Sequence, residues 1–368
     1  MRSIWDIANP QLRDLKVYEP GKPIEETARE LGTDASHIIK LASNENPLGP
    51  SPRAVFAMHG ALESTNLYPD GGGYYLREAL AAKFGLTRDH LILGSGSNEI
   101  IEFIGHAFLG NGDAIVTAKH AFIVYKLVAA VFGAQTIEVP GADLRHDLDA
   151  MLAAVTPKTR LIFIANPNNP TGTLEGQDAI DRFMDRLPEG VVAVFDEAYF
   201  EYLDNPPDTL RFVKEGRNVI VLRTFSKIHG LASLRVGYGI GRPDLVQVLQ
   251  KARQPFNVGG LGLTAALAGL ADEDHLRETK RITDEGRVFF QEQFKAMGLM
   301  FVPSVANFVL VNVGDGVRVF GELLQRHVIV RALKGYDLAE WVRISIGTME
   351  QNRQCIEALR EVLKNRVG

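Results

Sequence analysis

The chain predicts an α/β fold: a large domain with a seven-stranded, mostly parallel sheet flanked by helices, a smaller α/β C-terminal domain, and an N-terminal arm. Three observations predict it. Seven short apolar runs lie within residues 91–240: Leu91–Leu93, Ala114–Thr117, Thr136–Val139, Leu161–Ala165, Val191–Phe195, Val219–Leu222 and Val236–Ile240. Several are β-branched, and most end in Gly, Pro, Asn, Asp or Ser, as strands buried on both faces do. The segments between them are helical in pattern, and helices joining buried strands imply parallel crossovers. After Gly241 the pattern changes to long helices and then to a second, smaller mixed block.

Residues 1–50 are rich in Pro and Gly and read as an arm with one short helix around Glu25–Leu31. Residues 51–274 form the expected large domain, with a long helical stretch beginning near 243. The expected small domain, 275–368, holds a strand near Phe308–Asn312, a helix near Val317–Arg326, a strand near Trp341–Ile346 and a final helix. Thr348 suits the N-cap of that last helix, with Glu350 in its first turn. Part of the arm is expected to join this domain.

Composition excludes several classes. The 368 residues carry 40 basic and 45 acidic side chains, a net charge of −5, with no long run of either sign. That predicts neither a nucleic-acid surface nor an anionic-membrane surface. A single cysteine, Cys355, rules out an intrachain disulfide and a Cys metal cluster. The first ten residues are broken by charge and Pro, which argues against a signal peptide. No run of about 18 uninterrupted apolar residues is present, so no membrane span is expected. The cytoplasm is the expected location.

Five segments carry chemistry. Thr224-Phe225-Ser226-Lys227 follows the run Val219–Leu222, where ligands of open parallel sheets sit. A lysine there can form an imine with a carbonyl cofactor if its amine becomes neutral. Alone, the segment also reads as a solvated loop. Asp196, in Val194-Phe195-Asp196-Glu197-Ala198-Tyr199, is costly to bury unless paired, and a protonated ring nitrogen would pair it; a helix-capping Asp is the alternative. Tyr199, three residues on, is close enough to share the ligand. Asn166-Pro167-Asn168-Asn169-Pro170-Thr171-Gly172 fixes a loop from which Asn169 can donate to a ring oxygen. Gly94-Ser95-Gly96-Ser97-Asn98-Glu99 is a Gly-rich turn into a helix, an anion site by its free N–H groups and helix dipole. It lacks the spacing of a nucleotide P-loop or a dinucleotide fingerprint. Arg235, eight residues after Lys227, can add charge to the same anion. Together the segments converge on a ligand with a phosphate, a ring nitrogen, a ring oxygen and an aldehyde.

These residues, in this order, resemble the fold-type I pyridoxal-phosphate aminotransferases over nearly the whole chain. Within that family the likeness is to the histidinol-phosphate aminotransferases. It rests on Leu41-Ala-Ser-Asn44-Glu45-Asn46-Pro47-Leu-Gly49, Tyr68-Pro-Asp, Asn168-Asn-Pro-Thr-Gly, Thr224-Phe-Ser-Lys227, Gly-Leu-Ala-Ser-Leu-Arg235 and Val342-Arg343-Ile-Ser-Ile-Gly-Thr. The resemblance implies pyridoxal 5'-phosphate as cofactor, held covalently by Lys227, which also carries the reaction's proton. It implies Asp196 on the pyridinium nitrogen and Tyr199 and Asn169 on the ring oxygen. Ser97, Asn98, Thr224, Ser226 and Arg235 would hold the phosphate, and Phe122 would stack on the ring. Tyr68 would reach the phosphate in a neighbouring subunit, which implies a homodimer with shared sites. Tyr18, Asn46, Arg331 and Arg343 match substrate-side positions. One departure is Phe122, in His120-Ala-Phe122-Ile-Val-Tyr125, where many relatives have Pro-Thr-Tyr. Phe keeps an apolar stacking face and loses a hydrogen-bond donor.

The implied reaction moves an amino group from histidinol phosphate to 2-oxoglutarate, giving imidazole acetol phosphate and glutamate. An aromatic amino acid aminotransferase would use the same machinery, as would a phospho-amino-acid decarboxylase. A non-catalytic ligand sensor is opposed by Lys227, Asp196 and Arg235 standing together. A nucleotide-binding enzyme is opposed by the missing Gly spacing.

Overall fold

A computed structural model describes residues 3–13, 15 and 21–364. The seven apolar runs all form strands of one sheet: β2 (Leu91–Gly94), β3 (Ala114–Ala118), β4 (Gln135–Val139), β5 (Thr159–Ala165), β6 (Val192–Asp196), β7 (Val219–Thr224) and β8 (Gly237–Gly241). Their spatial order is β2-β8-β7-β6-β5-β3-β4. Only β8 runs against its neighbours; β3 to β7 are mutually parallel. Helices cover both faces, so β2, β3, β6, β7 and β8 are buried along their whole length. The edge strand β4 is the exception: it has one neighbour and is largely half-exposed or exposed.

The helical stretch after Gly241 is three helices, Pro243–Ala252, Gly260–Leu270 and Glu273–Ala296. Beyond it lies a four-stranded antiparallel sheet in the order β12-β13-β10-β9, made of β9 (Phe301–Val302), β10 (Phe308–Asn312), β12 (Arg331–Leu333) and β13 (Leu338–Ser345). The helices Gly316–Leu324 and Met349–Lys364 cover it. The Thr348 hydroxyl accepts from the Gln351 amide at 3.3 Å, and the Gln351 side chain accepts from the Thr348 amide at 2.9 Å. This is a reciprocal cap. Sequence reading misses β9, β11 (Val328–Ile329) and β12 because each has only two or three residues, too few to show a period.

The arm is tied down by pairing. β1 (Ile39–Lys40) lies parallel to β11 (Val328–Ile329), and Leu41 joins the apolar core of the small sheet with Phe290, Val309 and Ile344. The large sheet has its own core, centred on β5, β6 and β7. The stretch 42–46 therefore leaves one core and crosses over the other, and the site lies beneath it.

Candidate active site

The cleft opens at the carboxyl ends of β5, β6 and β7, beside the start of the helix Ser97–Phe108. Its empty volume is about 1090 Å³, including the open mouth. Of the residues expected from sequence, Ser97, Asn98, Phe122, Asn169, Asp196, Tyr199, Thr224, Ser226, Lys227, Arg235, Arg331 and Arg343 all line it.

One end is an anion cup. The helix Ser97–Phe108 begins at Gly96 with no side-chain cap, so its first amides face the cleft unsatisfied by a cap residue. Arg235 reaches this turn and donates to Ser226 Oγ at 3.2 Å and to the Ala232 carbonyl at 3.0 Å. Two glycines permit the approach. A Cβ on Gly96, whose φ is +78°, would lie 2.3 Å from Arg235 Nη2, and one on Gly237 would lie 2.4 Å from the Ser97 amide nitrogen. Thr224 Oγ1 accepts from the Ser226 amide at 3.1 Å, which turns both hydroxyl residues toward the same spot.

Asp196 ends β6, in register with Ala165 and Leu222, at the centre of the sheet. It is buried. Its Oδ2 accepts from the Tyr125 hydroxyl at 2.7 Å, while Oδ1 has no hydrogen-bond partner among the described residues. Burial pushes its pKa up, against the Tyr125 hydroxyl, the Ala198 amide and the Lys227 charge. A carboxylate placed so, with one free oxygen, is an unfilled contact for a cationic N–H.

Lys227 lies between these ends. Nζ donates to the Ser43 carbonyl at 3.2 Å and sits 5.7 Å from the Tyr199 ring centre. Burial, then the Arg343 and Arg235 charges, lower its pKa to about 8, with Glu45 and Asp196 opposing. The shift is toward the neutral amine that attack on a carbonyl requires.

The other end carries two arginines. Arg331 on β12 is the direct register partner of Arg343 on β13. Arg343 donates to Asn169 Oδ1 and to the Ala42 carbonyl, both at 2.6 Å. Paired like charges at a cleft wall suit an anionic substrate group. Asn44, with φ +55°, donates from Nδ2 to the Tyr199 hydroxyl at 2.9 Å. Its amide and its Oδ1 both bond Ser345 Oγ, at 2.8 and 2.9 Å. At the mouth, the His120 ring lies 2.9 Å from the Tyr336 carbonyl, joining a loop after β3 to one beside the small sheet.

Behind Asp196, Glu197 and Arg223 form a buried ion pair, Nη2 to Oε2 at 2.8 Å, with side chains 3% and 4% exposed. Arg223 lies 3.4 Å over the Phe200 ring, and Thr209 donates to the other Glu197 oxygen at 2.5 Å. Successive strand residues face opposite ways, so Asp196 points into the cleft and Glu197 away from it.

Full-length similarity accompanies this geometry. Residues 36–359 match the family model described as aminotransferase class I and II. The chain belongs to the class I and II aminotransferases. It is 54% identical to a histidinol-phosphate aminotransferase of Akkermansia muciniphila, over 98% of this chain and all of that one. It is 50% identical to one of Moorella thermoacetica, over 95% and 91%. Among solved structures, the histidinol-phosphate aminotransferase of Sinorhizobium meliloti in complex with pyridoxal-5'-phosphate superposes with a TM-score of 0.89 at 29% identity, covering 98% of each chain.

Two expected site residues of this aminotransferase, Asn46 and Tyr68, do not line this cleft. The Asn46 Nδ2 donates to the Ile228 carbonyl at 2.8 Å and to Thr279 Oγ1 at 3.1 Å. Those bonds satisfy its buried amide and brace the residue after Lys227. Tyr68 does not line this chain's own cleft; it is 84% exposed and stacks on Phe256 at 4.8 Å. Tyr18 lies outside the described residues. Sequence reasoning gave no role to Tyr125, Asn44 or Tyr336. The first two stand inside the quoted motifs, but their partners are 71 and 155 residues away, which no local signal reveals.

Proposed function

We propose that this chain is a pyridoxal 5'-phosphate-dependent aminotransferase of histidine biosynthesis, acting on histidinol phosphate and imidazole acetol phosphate with glutamate and 2-oxoglutarate as the other pair. The observation that carries it is the single cleft in which an anion cup, an amine of lowered pKa, an unfilled carboxylate oxygen and two paired arginines face one another. The relatives of that name, at 50% identity and above, support the substrate.

The residues fit the cofactor. When bound, it supplies an aldehyde and an electron-withdrawing ring that spreads negative charge from the substrate carbon. The cup of Ser97, Asn98, Thr224, Ser226 and Arg235 would hold the phosphate, and Asp196 Oδ1 would accept from the ring nitrogen. Tyr199 and Asn169 would bond the ring oxygen, and Phe122 would pack on the ring. Lys227 Nζ would hold the aldehyde end and is the base that would take the proton from the amine-bearing carbon. Arg331 and Arg343 bind the far anion, a phosphate on one substrate and a carboxylate on the other. In this reading residues 51–274 carry the cofactor, and residues 275–368, with part of the arm 1–50, supply the arginines.

Phe122 and Tyr336 in the cleft wall favour a second reading, an aromatic amino acid aminotransferase. A half-reaction panel separates the two. Histidinol phosphate should bleach the visible cofactor band at far lower concentration than phenylalanine or tyrosine. The reverse order would replace the first reading with the second. Carbon dioxide release without 2-oxoglutarate would indicate a decarboxylase.

The homodimer belongs to the same proposal. Tyr68, Leu67, Phe56 and Tyr75 are large apolar side chains left exposed, as on surfaces that associate. Mixing inactive Tyr68→Ala and Lys227→Ala subunits should restore part of the activity, since one site of each mixed dimer is intact. A cytoplasmic location is supported by the buried free thiol of Cys355 and by the absence, among the described residues, of a helix long and apolar enough to cross a membrane.

A further inference from the structure

Tyr125 has no role in the scheme above, yet it is held firmly beside the site. It lies in the first turn of the helix Val124–Val131 and is fully buried. Its ring stacks flat on Phe163 of β5, with centres 4.6 Å apart and planes 10° apart. The Phe122 ring meets it edge-on at 5.8 Å. The ring is clamped, so its hydroxyl has one position, 2.7 Å from Asp196 Oδ2. Burial and the Asp196 charge hold the phenol well above its ordinary pKa, so it stays a donor.

The terminal torsion of an aspartate is broad. One bond to Oδ2 from a fixed donor sets that torsion, and with it the direction of Oδ1. A buried carboxylate with no donor would drift toward its neutral form.

We propose that Tyr125 is a positioning residue: its hydroxyl aims Asp196 Oδ1 at the cofactor's ring nitrogen and keeps that carboxylate charged, so that the nitrogen stays protonated. The inference rests on the pyridoxal-phosphate reading. Its chemistry is a static hydrogen bond, with no covalent change at Tyr125. Phe122, packed on Tyr125, links the ring-stacking surface to the same clamp.

Tyr125→Phe removes the hydroxyl at almost unchanged volume and leaves the stacking intact. Cofactor-free wild type and variant are each titrated with pyridoxal 5'-phosphate and with its 1-deaza analogue, which has C–H in place of the ring nitrogen. The variant should bind pyridoxal 5'-phosphate about tenfold or more weakly and the analogue as wild type does. With the ring nitrogen labelled with ¹⁵N, the protonated-nitrogen signal should vanish at lower pH in the variant than in wild type. Equal weakening of both ligands, no weakening of either, or an unchanged ¹⁵N titration would overturn the proposal. Wild type that binds neither ligand would instead overturn the cofactor reading itself.

Discussion

At the cofactor end of the cleft the polar groups come from strand ends and turns of a single sheet. Asp196, Thr224 and the Gly96–Ser97 turn hang from β6, β7 and β2, all bedded in one apolar core. At the substrate end they come from distant chain: Asn44 meets Ser345 across 301 residues, and Arg343 reaches Asn169 across 174. The first end is therefore fixed whenever the sheet is folded. The second exists only when the segment around Asn44 and the small sheet lie against the large sheet. Cofactor affinity and substrate affinity should accordingly be separable by mutation.

The largest effect should come from the one residue that serves both ends. Lys227→Ala should lower amino transfer by about 10⁴-fold or more in single-turnover assays, with the thermal midpoint held or raised, because a buried amine is gone. Asp196→Asn should cost about 10²- to 10³-fold in kcat, with KM for the acid substrate little changed, which keeps the damage at the cofactor end. Arg343→Lys should raise KM for 2-oxoglutarate about 10- to 100-fold while cofactor affinity stays near wild type; equal losses in both would break the separation. Gly96→Ala should weaken cofactor binding about tenfold, through the contact with Arg235 and the strain at positive φ, and leave KM alone. The smallest effect is with pH. If Lys227 attaches the cofactor as proposed, its neutral amine must react, and a pKa of about 8 predicts a rate that rises about fivefold from pH 7 to pH 8 and then levels off. An ordinary lysine near 10.4 would instead show a tenfold rise per pH unit with no plateau in that range.

The same division governs what the sequence makes legible. The strands of the large sheet are visible because all but the edge strand β4 are almost wholly buried, and so are the residues at or just past their ends, Asp196, Thr224 and Lys227. Strand, turn and functional group are contiguous there. The direction of the Asn46 amide is not legible, because a motif shows that a residue is near the site, not which way its side chain turns; Ile228 and Thr279 decide that. Tyr125 went unassigned for the same reason. It stands three residues after Phe122 with no local signal of a role, and only the fold brings Asp196 to its hydroxyl. The short strands β11 and β12 carry too few residues for a pattern, although one of them presents Arg331 to the cleft.

The buried pair Glu197–Arg223 has a practical consequence for anyone scanning this chain by mutation. Removing either partner strands a charge in the interior, at a cost of about 3–5 kcal/mol, a large share of the margin by which domains stay folded. A survey that scored only product in cell extracts would rank Glu197 beside Asp196 and take it for part of the chemistry. The two losses would part company on the soluble fraction: Asp196→Asn should remain abundant and inert, whereas Glu197→Gln should be scarce, with the surviving molecules working normally.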